Sequence, residues 1–87
     1  MVQKSYNKLN YRIKMKLPNI SGKKVIKILS KYYGWEIHRR KGSHITLKKE
    51  NEKNILTVPV HEEIRIGTLL SILRKAEIDK EDFITKL

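Results

Sequence analysis

Residues 35–48, WEIHRRKGSHITLK, carry apolar and polar side chains in alternation on both sides of a turn that contains glycine. The side chains of a strand point alternately to opposite faces, so this period of two predicts two strands joined as a hairpin. Ile37 lies before the turn, and Ile45 and Leu47 lie after it. These three apolar side chains share one face only if the connecting loop has an odd number of residues.

The parity of the loop predicts which side chains lie on the other, solvent-facing side of the hairpin. A loop of three residues, 41–43, meets the requirement for an odd number of loop residues. Gly42 can take the left-handed conformation that such loops favour. Arg40 is then expected opposite His44. The predicted solvent face is polar and mainly basic, and it consists of Glu36, His38, Arg40, His44, Thr46 and Lys48.

A helix is predicted before the hairpin. Ser21 is a favourable N-cap, and Gly34 is a favourable stop after about Tyr33. One apolar stripe with helical spacing runs through this segment and consists of Val25, Ile28, Leu29 and Tyr32. The lysines of the segment mostly fall outside the stripe, so we assign this helix a structural role with a solvated basic back.

A third strand and a second helix are predicted after the hairpin. The strand covers residues 55–58 and ends at Pro59, and the helix covers about residues 66–76. A short turn after Asp79 is expected to return Phe83 to the core. The predicted fold class is therefore α+β, with the order α-β-β-β-α, a three-stranded antiparallel sheet and two helices on one face.

The charge of the chain points to a polyanionic partner. The net charge is +11, and the sequence pI is about 10.0. Residues 1–49 carry fourteen Lys or Arg and one acid, Glu36, whereas residues 50–87 carry six basic and eight acidic residues. Such polarisation favours a nucleic-acid face over a solvated surface of mixed charge. An anionic membrane is the weaker alternative, because no predicted helix combines a basic face with a large exposed apolar one.

Composition also bounds the organisation of the chain. Residues 1–14 hold four cations and no acid, and we expect a flexible basic arm, with Met15 as a candidate native start. Residues 15–87 are expected to form one small domain. The chain has no cysteine, no signal-peptide pattern and no apolar stretch of about 20 residues, so we expect a soluble cytoplasmic protein that does not enter a membrane.

Four short fragments occur along the chain in a distinctive order. They are Ile20-Ser21-Gly22-Lys23, Gly42-Ser43-His44, Val58-Pro59-Val60-His61, and Gly67-Thr68-Leu69 followed by Ile72-Leu73-Arg74. In this order and at this spacing they resemble the HicA-type toxins of the YcfA/HicA-like family, and the resemblance covers residues 15–87. Ile66 departs from the pattern, since many relatives have proline there, but this difference concerns helix capping.

The resemblance implies a fold similar to the double-stranded RNA-binding domain and an activity as an mRNA interferase of a type II toxin-antitoxin system. It implies cleavage of mRNA independently of the ribosome, without a metal or another cofactor. It also implies silencing by a HicB-type antitoxin. We expect the toxin to be monomeric when free and hetero-oligomeric with that antitoxin. By the resemblance, His44 in Gly42-Ser43-His44 matches the catalytic histidine.

The residues around His44 suit this activity. An imidazole can act as general base on the ribose 2′-hydroxyl, which then attacks the adjacent phosphate, while nearby cations hold the developing negative charge. The candidate RNA-binding and phosphate-binding residues are Arg39, Arg40, Lys41, Ser43 and Lys48. His38 is a candidate for the leaving-group acid, although we favour an ordinary surface role for it.

Other functions account for fewer of these features. The three histidines and Glu62 match no zinc-ligand spacing, and the surrounding positive charge opposes cation binding, so we expect no metal site. The main rival is a non-catalytic double-stranded RNA-binding module, which has no need of the Gly42-Ser43-His44 fragment. A DNA-binding regulator is disfavoured, because neither helix has a polar, basic recognition face with helix-turn-helix spacing.

Overall fold

The computed structural model describes residues 16–87. The basic arm predicted for residues 1–14 lies outside this range. In chain order the elements are α1 (Gly22–Tyr33), β1 (Glu36–Lys41), β2 (His44–Lys48), β3 (Leu56–Pro59), α2 (Ile66–Lys75) and α3 (Lys80–Ile84). The predicted α+β class and the order α-β-β-β-α are confirmed, and α3 is the short terminal turn expected after Asp79.

Helix α1 begins and ends where its sequence predicts. The Ser21 hydroxyl accepts a hydrogen bond from the backbone N–H of Lys24 at 3.1 Å, which satisfies one of the donors that a helix start leaves unpaired. Gly34 has a φ of 77°, the left-handed conformation that ends many helices. Local capping chemistry therefore fixes both ends of α1.

The sheet is antiparallel with the strand order β1-β2-β3, and its hairpin differs from the prediction. The loop between β1 and β2 has two residues, Gly42 and Ser43, because Lys41 pairs with His44. Gly42 has a φ of 59° at the first loop position, where a type II′ turn requires a positive φ. The prediction of a three-residue loop with Arg40 opposite His44 is therefore wrong.

A β-bulge at His38 reconciles the two-residue loop with the buried side of β2. Ile37 pairs with Leu47, whereas the next pair is Arg39 with Thr46, so His38 is an extra residue with no partner in this register. A bulge shifts the alternation of a strand by one residue. A three-residue loop is required only when β1 is unbroken, and the bulge supplies the residue that such a loop would have supplied.

The register defines an inner face and an outer face of the sheet, because paired residues of an antiparallel sheet lie on the same side. The inner face carries the buried residues of β2 and β3, which are Ile45, Leu47, Leu56 and Val58. The outer face carries the other residues of β2, which are His44, Thr46 and Lys48, together with their partners. Ile37 shares the inner face with Leu47 as predicted, yet it is 59% exposed.

The helices pack on the inner face and form one hydrophobic core with it. The core residues are Ile20, Val25, Ile26, Ile28, Leu29, Trp35, Ile45, Leu47, Leu56, Val58, Ile64, Leu69, Ile72, Leu73 and Phe83. Within residues 16–87 no polar or charged residue is buried. Apolar packing therefore stabilises this fold, as expected of a chain without cysteine.

Tyr32 departs from the predicted apolar stripe of α1. It is 47% exposed, and the ammonium groups of Lys31 and Lys86 lie 5.3 and 5.5 Å from the centroid of its ring. An exposed aromatic ring with ammonium groups over it at these distances is a surface cation–π arrangement. The prediction that Tyr32 joins the core is wrong, and Ile26 is buried in addition to the other residues of the stripe.

Helix α3 packs against the core beside the last turn of α1. Phe83 is fully buried, as predicted, and the Tyr33 hydroxyl donates a hydrogen bond to the Asp82 carboxylate, which joins α1 to α3. Partial burial, together with this hydrogen bond and the negative charge of Asp82, raises the pKa of Tyr33 above its usual value. Asp79 occupies the N-cap position without a side-chain cap hydrogen bond.

Helix α2 contributes its predicted apolar stripe to the core through Leu69, Ile72 and Leu73. It begins after Arg65, whose side chain makes no cap hydrogen bond, in keeping with the absence of a capping signal in the sequence. No helix in residues 16–87 is both long and apolar enough to cross a membrane.

Candidate nucleic-acid interface

His44 is the first residue of β2 and lies on the outer face of the sheet. It is exposed, whereas the next residue, Ile45, is buried, so the alternation of the strand turns His44 away from the core. Its cross-strand partners are Lys41 on β1 and Pro59 on β3. A large anion can therefore approach His44 from solvent and meet an ammonium group on the neighbouring strand.

The bulge decides which cations share the outer face with His44. Lys41 lies directly opposite His44, Arg39 lies opposite Thr46, and Lys48 lies opposite Glu36. Arg39, Lys41 and Lys48 are exposed. The outer face around β2 therefore holds three cations and one acid, Glu36. Its net positive charge attracts phosphate.

Arg40 lies on the inner side of the hairpin, contrary to the predicted solvent face. It pairs with Ile45, and its Nε donates a hydrogen bond to the carbonyl oxygen of Gly42 at 3.2 Å. The guanidinium of Arg40 thus folds along the turn and does not stand opposite His44. The reason is again the bulge, which moves Arg40 across the sheet and brings Arg39 and Lys41 to the outer face.

His38 occupies the bulge and is exposed. It is separated along β1 from Lys41, the residue opposite His44, by Arg39 and Arg40. The register does not bring the two imidazoles together as cross-strand neighbours.

Backbone hydrogen bonds attach the start of β2 to the start of α1. The N–H of Val60 donates to the carbonyl oxygen of Ser43 at 2.6 Å, and the N–H of Gly22 donates to the carbonyl oxygen of His61 at 2.9 Å. Three of the four sequence fragments, those around Gly22, Ser43 and His61, therefore meet at one end of the sheet. The same bonds hold the turn before His44 in place, and a fixed turn keeps the position of an imidazole constant.

Gly22 permits this close approach. A Cβ at this position would lie 2.0 Å from the carbonyl oxygen of Pro59, a distance that backbone atoms cannot relieve without moving apart. Glycine is used where two backbone segments come this near. Gly22, in the first of the four sequence fragments, is therefore required for packing. Its backbone lies against Pro59, the cross-strand partner of His44.

A cleft of about 470 Å³ lies beside the turn at this end of the sheet. It is lined by Ser21, Lys23, Arg40, Val60, His61 and Glu62. From sequence, the lysines of α1 were expected on a solvated helix back, and no binding role was assigned to His61. No local signal joins these residues with Arg40, because they belong to three elements that are far apart in the chain.

Across residues 16–87, no group of three or more His, Asp or Glu side chains is arranged so that it could hold a metal ion.

The comparison with known families agrees with these fragments. A family model described as HicA toxin of bacterial toxin-antitoxin matches residues 22–78. The chain belongs to the HicA toxin family. The match runs from the start of α1 through α2, so this HicA-family protein shares with the family the hairpin, its turn and the segment around His61. The protein is therefore a toxin of a toxin-antitoxin system, and such a toxin has an antitoxin partner. No curated protein matches the chain.

Proposed function

We propose that this HicA-family toxin is a metal-independent endoribonuclease that cleaves mRNA, with His44 as its general base. The observation that carries the proposal is the exposed position of His44 on the outer face, opposite Lys41 and away from the core. A histidine in such a place can meet an RNA phosphate and move a proton near neutral pH. Membership of the HicA family supports the same activity.

The proposed reaction is an attack by the RNA on its own backbone. A ring nitrogen of His44 takes the proton of a ribose 2′-hydroxyl, and the 2′ oxygen forms a bond to the adjacent phosphorus. The bond from phosphorus to the 5′ oxygen of the next nucleotide then breaks, and that oxygen takes a proton from water. The hydroxide left behind takes up the proton that His44 had removed, which restores the neutral imidazole. The products are one fragment with a 2′,3′-cyclic phosphate and one with a 5′-hydroxyl.

The outer-face cations are proposed to stabilise the charge that develops on the phosphate. Lys41 is the nearest in the register, because it is the direct partner of His44, and Arg39 and Lys48 extend the same basic surface along the hairpin. Preorganised cations stabilise a transition state without having to reorient during the reaction. Ser43, in the turn before His44, is proposed to contact phosphate as well.

The typical size of each catalytic effect indicates how much of the rate acceleration His44 can supply. Proton transfer by one positioned side chain contributes about 10²- to 10⁴-fold to a rate. Positioning of the ribose and its phosphate, together with electrostatic stabilisation, must supply the rest of the acceleration. Replacing His44 should therefore remove most of the cleavage and little of the binding.

The test is incubation of purified protein with mRNA in the presence of EDTA, with His44→Ala and His38→Ala beside the wild type. We expect cleavage that survives EDTA, fragment ends carrying 2′,3′-cyclic phosphate, and a rate about 10²- to 10⁴-fold lower for His44→Ala. His38→Ala is the matched control, because it removes an exposed imidazole from the same hairpin. Its loss should be much smaller.

Two results would count against the proposal. Fragments without cyclic phosphate or its hydrolysis products would exclude attack by the 2′-hydroxyl. RNA binding without any cleavage by the wild type would favour the rival function, a non-catalytic double-stranded RNA-binding module.

We further propose that the antitoxin is a HicB-type protein whose acidic surface covers the outer face. Complementary charge would hold the partner there and exclude RNA from His44. The free toxin is then monomeric, and the silenced form is a hetero-oligomer. Co-purification with the product of the neighbouring gene, together with loss of cleavage in the complex, is the expected outcome. A complex that cleaves as fast as the free toxin would contradict this arrangement.

A further inference from the structure

We infer that the cleft lined by Lys23, Arg40 and His61 binds a second phosphate group of the RNA strand whose scissile link lies at His44. The inference rests on the proposed function and extends it. It gives the RNA a path around the end of the sheet, from the outer face over the hairpin turn and into the cleft.

The side chains of the cleft suit an anion. Lys23 from α1 and Arg40 from β1 carry only hydrogen-bond donors on their charged groups, and His61 from the loop after β3 adds an imidazole. Arg40 uses its Nε for the bond to Gly42, and its guanidinium has four further N–H donors. Cations that converge from separate elements on one cleft of about 470 Å³ match the chemistry of a phosphodiester.

Glu62 is the acid that lines the cleft, and it is exposed. Its carboxylate opposes the binding of an anion and thereby weakens the attraction of Lys23 and Arg40 for phosphate. This opposition gives the inference a distinctive consequence, since removal of the negative charge must strengthen the binding of RNA.

The cleft is joined to His44 through the hairpin turn. Ser43 immediately precedes His44, and its carbonyl oxygen is bonded to the N–H of Val60, a residue that lines the cleft. At the tip of the turn, a Cβ built on Gly42 would meet no described atom within 4 Å. A nucleic-acid backbone can therefore cross the turn at Gly42 without colliding with residues 16–87.

The ligand is a single strand recognised by its backbone. A flexible strand can follow a path around a two-residue turn, whereas a stiff duplex cannot bend over so short a distance. Contacts with phosphate position a nucleic acid without reading its sequence. The cleft should accordingly bind RNA and DNA strands alike, whereas cleavage at His44 requires the 2′-hydroxyl.

The experiment measures the binding of a fluorescein-labelled single-stranded RNA by anisotropy, with every variant in a His44→Ala background so that the RNA stays intact. Lys23→Gln should raise Kd about threefold to tenfold and lower the slope of log Kd against log salt by about 0.7. Lys24→Gln is the matched control, because this neighbouring exposed lysine does not line the cleft. Its Kd should change less than twofold, and Glu62→Gln should lower Kd.

Equal Kd values for Lys23→Gln and Lys24→Gln, or a Kd that Glu62→Gln leaves unchanged, would overturn the inference. Thermal unfolding of each variant excludes a loss of folding, and Arg40→Gln provides a second variant on another element. A DNA strand of the same sequence should show the same ratio between Lys23→Gln and Lys24→Gln.

The same variants separate this inference from the proposed function. With an active His44, Lys23→Gln should raise KM and leave kcat within about twofold, because the cleft binds a phosphate that does not react. Absence of cleavage by the wild type would refute the proposed function. Normal cleavage by the wild type, with no difference between Lys23→Gln and Lys24→Gln, would refute only the role of the cleft.

Discussion

The two faces of β2 differ in what they need from their residues. On the inner face, Ile45 and Leu47 are buried and contribute to the core, whereas His44 and Lys48 on the outer face are exposed. Five consecutive residues thus supply both packing and a chemical surface, because the alternation of a strand separates the two sets. Stability and the proposed cleavage of RNA should therefore respond to different substitutions within one strand.

The strongest test of this separation compares Leu47→Ala with His44→Ala. Leu47 is fully buried, so its truncation should lower the free energy of unfolding by about 2–5 kcal/mol. His44→Ala should change it by less than about 0.5 kcal/mol, because the side chain is exposed. Urea unfolding of both variants measures the difference. A large destabilisation by His44→Ala would show that the outer face also supports the fold.

A pair of glycines extends the comparison to the ends of the strands. Gly22→Ala places a Cβ 2.0 Å from the carbonyl oxygen of Pro59, and we expect a loss of about 3 kcal/mol. Gly42→Ala meets no neighbour but must keep a φ of 59°, which costs about 1–2 kcal/mol. Denaturant midpoints should rank the variants in this order. The reverse order would mean that the hairpin turn, and not the contact between the start of α1 and Pro59, limits the stability of this end of the sheet.

A substitution of Tyr33 tests whether the helical layer can be destabilised without an effect on the outer face of the sheet. Because the folded state raises the pKa of Tyr33, its contribution to stability is complete below about pH 10 and is lost as the pH rises further. Tyr33→Phe should cost about 1 kcal/mol at pH 8, and the gap to the wild type should close above pH 10. Unfolding curves across this pH range measure the gap, and cleavage at pH 8 should stay unchanged. A constant gap would contradict the titration of Tyr33.

The smallest expected effect concerns the outer-face lysines. Lys41→Gln and Lys48→Gln should each weaken the binding of RNA about threefold, without a measurable change in stability, because each removes one exposed charge. Lys53→Gln, in the exposed loop between β2 and β3, is the control and should bind like the wild type. Anisotropy titrations at fixed salt measure these ratios. Equal effects of all three would indicate attraction by net charge alone.

Local sequence signals predicted most of the architecture. The bounds of α1 followed from Ser21 and Gly34, and the buried positions of β2 followed from alternation, because each depends on chemistry within a few residues. The exposure of His44 on the side away from the core was predictable for the same reason. The prediction for the hairpin was wrong about Arg40, which was expected on the solvent-facing side. It assumed an unbroken alternation along β1, and the bulge at His38 shifts that alternation by one residue.

The class of fold and the order of its elements thus follow from the amino-acid sequence, as does the exposure of His44 on a strand beside cations. The folded chain sets which cations share that face, and it brings Lys23, Arg40 and His61 together in one cleft. The physical reason is that capping and alternation are set by neighbours in the chain, whereas register and convergence depend on backbone hydrogen bonds between distant segments, such as those from Val60 to Ser43 and from Gly22 to His61.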